Sequence, residues 1–347
     1  MDPFTHLLTG ACLGRAGLNR KTALATVTLT LAAEAPDVDM LAGIKGHVAV
    51  FAYHRGFTHS FLGGLLVAAA AVGVMYLIWR LRGRKIKNPS LPPRWGLLFL
   101  YAYLAVLSHI LLDFTTAYGV RPFWPFSEKW HSWDIVPMIE LELPIILAAG
   151  LALPFFFSLI NEEIGARRKG FKGRLAATLA LLAMVAVWGV RDYEHRRAVN
   201  VMTAQLYEDA APIRVSAYPN IWDPFHWLGV VETKTFYATM SVNSLTPEVD
   251  PEGRMQIRYK PQETAVTLAA KKSYLGRVYM DWAMYPVTET EQLDAPRSGY
   301  IVRFRDLRYA YAGRGPNVLG AEVELDSNLK VVSESIGSRG PSSQGTR

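Results

Sequence analysis

Residues 57–79 read FTHSFLGGLLVAAAAVGVMYLIW, twenty-three positions whose only basic side chain is His59 and which hold no acid. At 1.5 Å per residue a helix of this length rises about 35 Å. The hydrocarbon core of a bilayer is about 30 Å thick, so the run predicts a membrane-crossing helix. Outward from it, residues 95–114 and 137–160 form two further apolar runs, and 174–190 a shorter one. Upstream, segments 5–18 and 22–34 are each too short to be a span alone; joined by Gly17-Leu18-Asn19-Arg20, they predict a helical hairpin that crosses in part or packs on the bundle. The expectation is an α-helical membrane bundle of about six short passes over residues 1–190.

The pattern changes after Arg191. Residues 191–210 are charged and helix-compatible, a stalk. From 211 onward, alternation of polar and apolar residues marks strands at 213–215, 230–242, 255–259, 300–304 and 321–325, with a helix inside 262–283. Residues 211–333 therefore predict a small soluble α+β or mainly-β domain, and the Ser/Gly-rich residues 334–347 a disordered tail. The aromatic stretch from Tyr218 to Trp227 reads as a packing cluster.

Composition agrees with a membrane half and an aqueous half. Hydrophobic residues make up 50% of the 347 and charged residues 19%, with a net charge of +7. The basic residues sit in short loops: Arg80, Arg82, Arg84, Lys85, Lys87 and Arg94 in one, Arg167, Arg168, Lys169, Lys172 and Arg174 in another, and Arg15, Arg20 and Lys21 at the hairpin turn. Such loops stay cytoplasmic. Lipid orientation accounts for the charge, and no nucleic-acid partner is expected. Cys12 is the sole cysteine, so no internal disulfide forms. The N-terminus lacks a basic n-region and a small-residue cleavage site, so no cleavable signal peptide is expected.

Alternating passes place residues 1–6, 34–57, 115–136 and everything after 190 on the outer side. Six of the eight histidines fall in the membrane half, beside carboxylates. His109 and Asp113 stand at i and i+4 on one helix face; the pair can hold a divalent ion or simply hydrogen-bond within the bundle. Pro36-Asp37-Val38-Asp39 ends the second apolar segment with two carboxylates, which a solvated loop would also explain. His54-Arg55-Gly56-Phe57-Thr58-His59-Ser60 opens the long run with two imidazoles and a guanidinium. Topology, read only from loop charge, brings all of these to one face. The shared reading is a polyvalent metal site with His6, Asp37, Asp39, His54, His59, His109 and Asp113 as ligands and His6 at its edge. Mixed His and Asp donors suit Zn or Mn better than Ca. Such a site activates water; Asp37 and Arg55 are the candidate catalytic residues, with Arg55 at the rim to stabilise developing negative charge.

Together, His6, the Pro36–Asp39 element, the His54–Ser60 element and His109–Asp113 resemble the YdjM-like family of membrane-bound metal-dependent hydrolases, over roughly residues 1–160. Residues 116–127 and Trp133-Asp134 fit the same family. The Asp and His motifs are also similar to those of zinc-dependent phospholipase C. The resemblance implies a bacterial inner-membrane protein and supports the same seven ligands. One departure is Glu140, which stands where an Asp followed by Pro is expected. The resemblance implies a hydrolase but no firm substrate; a site at headgroup depth makes the expected substrate a phosphoester or ester carried on a lipid or another envelope molecule, at the outer face of the inner membrane. The alternatives are a non-enzymatic metal-binding sensor or assembly factor whose C-terminal domain recruits a protein partner, and a transporter. A reporter fused after Thr346 is expected to behave as extracytoplasmic, and cytoplasmic activity of that fusion would overturn the topology.

Overall fold

The computed structural model describes residues 1–84, 91–163, 173–294, 298–309 and 319–337. It divides into two compact units, one of Met1–Met40 with His54–Tyr193, the other of Leu41–Tyr53 with Glu194–Arg347.

The first unit opens with α1 (Pro3–Arg15), whose first turn is closed by Asp2 accepting from the Thr5 backbone N–H and by Pro3 at a position that needs no donor. A turn through Gly17, at φ 137°, leads to α2 (Ala25–Glu34). The two helices lie against each other because Gly10 and Gly14 have no side chain: a Cβ at Gly10 would stand 2.5 Å from the Leu29 carbonyl oxygen. Helix α3 (His47–Tyr53) belongs to the second unit; the first goes on with α4 (Phe61–Leu81), α5 (Trp95–Phe114), α6 (Glu142–Glu163) and α7 (Gly173–Thr203), whose last residues belong to the second. Ser60 caps α4 by accepting from the Gly63 N–H at 2.9 Å.

Among the described residues, α4, α5 and α7 are long and apolar enough to cross a membrane. These three candidate spans do not by themselves bear out the expected six passes. With 13 and 10 residues, α1 and α2 rise only about 20 and 15 Å, short of the hydrocarbon thickness. Helix α6 is 22 residues long, and its apolar stretch is followed over Glu142–Phe157. Its expected start at 137 is delayed because Glu140 turns back to accept from the Glu142 N–H. The basic residues Lys85, Lys87, Arg167, Arg168, Lys169 and Lys172 lie outside the described residues.

Small side chains hold this unit together. Ala25, Ala32, Ala33, Ala68, Ala102 and Ala105 are buried where α2, α4 and α5 meet, as expected where backbones must approach closely. A second core gathers Cys12, Leu112, Leu143, Leu147, Ala177 and Trp188 from α1, α5, α6 and α7. Helix α5 contributes to both.

The second unit contains two antiparallel sheets. The first holds β1 (Arg214–Pro219), β2 (His226–Glu232), β3 (Phe236–Asn243) and β4 (Glu248–Val249) in that order, with β5 (Gln256–Tyr259) also on β3. The second is a meander of β6 (Pro286–Leu293), β7 (Gly299–Asp306), β8 (Ala321–Asp326) and β9 (Val331–Ile336). Helices α8 (Ala265–Lys272) and α9 (Tyr274–Trp282) occupy the stretch where one helix was expected. Tyr218 and Trp227 are buried, whereas Trp222 between them is 75% exposed, so only the ends of that aromatic stretch pack.

Three sequence expectations are corrected here. The segment expected as a stalk is no free linker: α7 continues unbroken to Thr203, and Ala198 and Met202 pack into the first sheet's core. Gly229 permits this, since a Cβ there would stand 2.4 Å from the Met202 sulfur. Residues 334–336 belong to β9 rather than the tail, because Val331 to Ile336 pair with β8; residues 338–347 lie outside the described residues. Finally, Leu41–Tyr53, expected with the membrane half, belongs to the second unit, where the Phe51 ring meets Trp282 edge-on at 5.0 Å and Tyr279 at 5.9 Å.

Gly10→Val should drive α1 from α2, since overpacking a tight contact costs about 1–3 kcal/mol. The expected result is a lower melting temperature of the detergent-solubilised protein, and an unchanged one would overturn the close-packing account.

Candidate metal centre

Four segments deliver the site. Helix α1 carries His6; the 3-10 stretch Ala35–Lys45 after α2 carries Asp37 and Asp39; the short Phe57–His59 turn before α4 brings His59, with His54 and Arg55 just upstream; and the last turns of α5 carry His109 and Asp113. His6, His59, His109 and Asp113 are fully buried.

His59 Nε2 lies 3.0 Å from His109 Nε2, 3.3 Å from Asp37 Oδ1 and 3.2 Å from Asp113 Oδ2. His109 Nε2 lies 3.5 Å from Asp37 Oδ1 and 3.4 Å from Asp113 Oδ2. These are five edges of a small four-cornered figure. A regular tetrahedron with such edges has its centre ~1.8–2.1 Å from each corner, the length of a metal bond to imidazole or carboxylate.

The ring protons are arranged to match. His109 Nδ1 faces the Ala33 carbonyl oxygen at 2.6 Å, an acceptor, so Nδ1 carries the proton and Nε2 of the neutral ring keeps its lone pair. His59 Nδ1 stands 3.2 Å from Asp39 Oδ2, which holds its proton in the same way. Imidazoles that ligate metals almost always donate their other N–H to a carbonyl or carboxylate like this. Asp37 Oδ1 and Asp113 Oδ2 are buried without a hydrogen-bond partner. An unsatisfied buried polar atom is costly, and a cation at the centre of the four donors would satisfy both. Asp37, His59, His109 and Asp113 therefore form a group that can hold a metal ion, and Asp37, Asp39 and His54 form a second that shares Asp37.

Electrostatics favour ionised carboxylates. Burial works against the charge on Asp37, but the His109 and His59 imidazoles set against it outweigh burial and hold the carboxyl well below its ordinary range. Asp39 is held low against the same burial penalty by His54 and His59.

Of the residues singled out in the sequence, six converge closely. The His54 and His59 rings are 5.6 Å apart and those of His59 and His109 4.9 Å. His54 Nδ1 bonds Asp39 Oδ1 at 2.9 Å. His6 is not at the edge: its ring stacks on that of His109 at 3.7 Å, with Nε2 3.4 Å from Asp113 Oδ1. Arg55 is not at the rim. Its guanidinium is 4% exposed and donates to Asp113 Oδ1 at 2.7 Å and to Thr116 Oγ1 at 3.0 Å, beneath the Tyr118 ring. The reason is charge: Asp113, deep in an apolar helix, needs a permanent cation. Glu140 stays apart from the cluster and pairs with Arg191 at 3.1 Å. His131 also stays apart, bridged to Val120 through the backbone and set against Phe123.

Sequence reasoning missed Thr58, which donates to Asp39 Oδ2 at 2.9 Å, Thr116, and the Ala33 carbonyl. Thr58 lies inside a motif that was singled out, but a threonine between histidines carries no ligand signal, and a backbone carbonyl has no sequence signature at all.

A family model described as YdjM inner membrane protein matches residues 1–198, the stretch that holds every one of these side chains. The chain belongs to the YdjM inner membrane protein family. Membership in an inner-membrane family agrees with the three helices that are long and apolar enough to cross a membrane among the described residues. The uncharacterized protein YfhP of Bacillus subtilis (strain 168) is 25% identical over 340 residues, covering 95% of this chain and 93% of that protein. That similarity runs past the YdjM match and through the second unit. No solved structure matches the chain.

His109→Ala and Asp113→Ala should each lower bound metal by at least about tenfold, the lower end of what even an outer-shell change does. Both variants should remain in the membrane fraction. Elemental analysis of the purified proteins checks this, and unchanged metal in both would return the pair to an internal hydrogen bond.

Proposed function

We propose that this YdjM-family protein is a metal-dependent hydrolase that holds Zn or Mn among Asp37, His59, His109 and Asp113. Its substrate is a phosphoester or ester on a lipid-linked molecule at the outer membrane surface. The observation that carries the reading is the spacing of the four donor atoms, with Asp37 as the one member reaching solvent: its side chain is 20% exposed, against 0–1% for the other three.

A divalent ion bound there supplies a lowered pKa for water and a Lewis-acid contact for a phosphoryl or carbonyl oxygen. The chain's own residues arrange the rest. Asp37 is the partly exposed member of the four-donor group. Beside it, the His54 imidazole, 17% exposed, is oriented by Asp39 through the 2.9 Å bond. A carboxylate-oriented imidazole at the mouth is suited to accept a proton from an attacking water and return it to a leaving oxygen. Arg55 acts through Asp113: it fixes that carboxylate and balances its charge.

Position supports an amphiphilic substrate. Phe57, Phe61, Phe123 and Phe126 are 40–85% exposed near the start of α4, the end that carries His54 and His59. Exposed aromatic rings at a helix end belong at the headgroup level. On the same reading the C-terminal domain stands outside the cytoplasm, available to a protein partner.

The donor count favours one competing reading. Four protein ligands complete a tetrahedron, as in structural sites that keep no open position, and would suit a metal-binding sensor or assembly factor. Turnover separates the two. Metal-loaded protein should hydrolyse an activated phosphodiester and phospholipid headgroups, and His54→Ala should lower the rate by about 100-fold, the low end of a lost general base, with its buried ion retained. A full complement of metal with no turnover across the panel would sink the hydrolase and leave the sensor.

A further inference from the structure

At the other end of α5 from the metal donors, a cleft of about 600 Å³ opens between the α1–α2 turn, α5 and the start of α7. Three cations line it: Arg20 and Lys21 from the turn and Arg174 from α7. No acid lines it, and none of the three has an ion-pair partner among the described residues. Arg174 is held in place, its Nε donating to the Ala16 carbonyl oxygen at 3.0 Å. The turn makes room for it: at Gly17, with φ 137°, a Cβ would stand 3.1 Å from that nitrogen. The outer nitrogens of the guanidinium remain available.

A second observation points the same way. Tyr101, 7% exposed, lines the same cleft. Here it stands as a donor beside three cations, with the apolar side chains of Leu13 and Leu18 on the same wall. Cations and a hydroxyl donor beside an apolar wall match a phosphate that carries a hydrocarbon chain.

Depth agrees. Tyr101 is six residues into α5, about 9 Å from its start, and His109 lies about 12 Å further on. The cleft therefore sits at the basic end of the bundle, where Arg94 precedes α5 and Arg80 and Arg82 close α4. Basic pockets between membrane helices on that side bind anionic headgroups.

We propose that this cleft is a binding site for an anionic phospholipid, with the phosphate against Arg20, Lys21, Arg174 and the Tyr101 hydroxyl, and an acyl chain along Leu13 and Leu18. The site is independent of the metal centre and of any hydrolysis there.

The test uses full-length protein released from nanodiscs of equal phosphatidylglycerol and phosphatidylcholine into native mass spectrometry. Phosphatidylglycerol should be retained preferentially. Lys21→Gln and Arg174→Gln should each reduce its retention by about fivefold, the effect of one basic residue near an anionic surface. Tyr101→Phe, which removes one hydroxyl and preserves packing, should reduce it as well. Metal content and melting temperature should not change in Lys21→Gln or Tyr101→Phe, which keeps the result readable if Arg174→Gln unfolds. Equal retention of the two lipids would overturn the proposal. So would an equal loss in Arg80→Gln with Arg82→Gln, which would show a diffuse surface charge, or displacement of the lipid by inorganic phosphate at matching concentration, which would show a free-anion site.

Discussion

A carboxylate inside an apolar helix has to be compensated, and Asp113 is fully buried near the end of α5. An isolated ion there would carry a penalty of several kcal/mol. The surrounding chain is arranged to remove that penalty. The Arg55 guanidinium, the Met1 nitrogen and His6 face one oxygen, and His59 and His109 face the other. These groups come from three separate parts of the sequence. Neutralising this one charge therefore draws α1, the 54–59 segment and α5 into a fixed arrangement. Arg55 supplies what no bound ion could, a permanent cation that remains in place whether or not metal is present. It also bonds Thr116 and lies over Tyr118, so the loop after α5 is tied to the same point.

Asp37 occupies the contrasting position. It completes the four-donor group with Asp113, His59 and His109, yet it is the group's partly exposed member and belongs equally to the Asp39 and His54 set. The first set resembles a closed structural site, and the second opens to solvent. Any chemistry at this centre has to pass through that shared carboxylate, because the remaining donors are sealed behind α1 and α5.

Much of this was legible in the sequence. The 95–114 run is helix α5 to the residue, since an apolar stretch flanked by Pro-rich and polar sequence leaves little choice of ends. The convergence of His54, His59, His109, Asp37 and Asp39 was visible because loop charge fixes which helix ends share a face. Other features were not legible. Hydropathy cannot distinguish a short helix buried in a bundle from a span, so α1 and α2 were counted as passes. Arg55 was placed at the rim because a guanidinium is usually solvated; only a buried carboxylate partner, distant in sequence, reverses that. The assignment of Leu41–Tyr53 to the second unit depends on Phe51 meeting Tyr279 and Trp282, residues more than two hundred positions away. No local pattern reports such a contact.

The shortness of α1 and α2 also bears on how the protein is made. A chain leaves the ribosome N-terminus first, so these helices, with His6 and the segment leading to Asp37, exist before α5 has been synthesised. With 13 and 10 residues, neither can be released into lipid as an independent span. Their buried faces, including the glycines that seat α1 on α2, find their partners only when Trp95–Phe114 arrives. The hairpin of α1 and α2 is thus a late-docking element despite preceding α5 in the chain. Until it docks, the insertion machinery has to shelter a polar-faced, half-length hairpin, and assembly of the ligand cluster coincides with completion of the bundle.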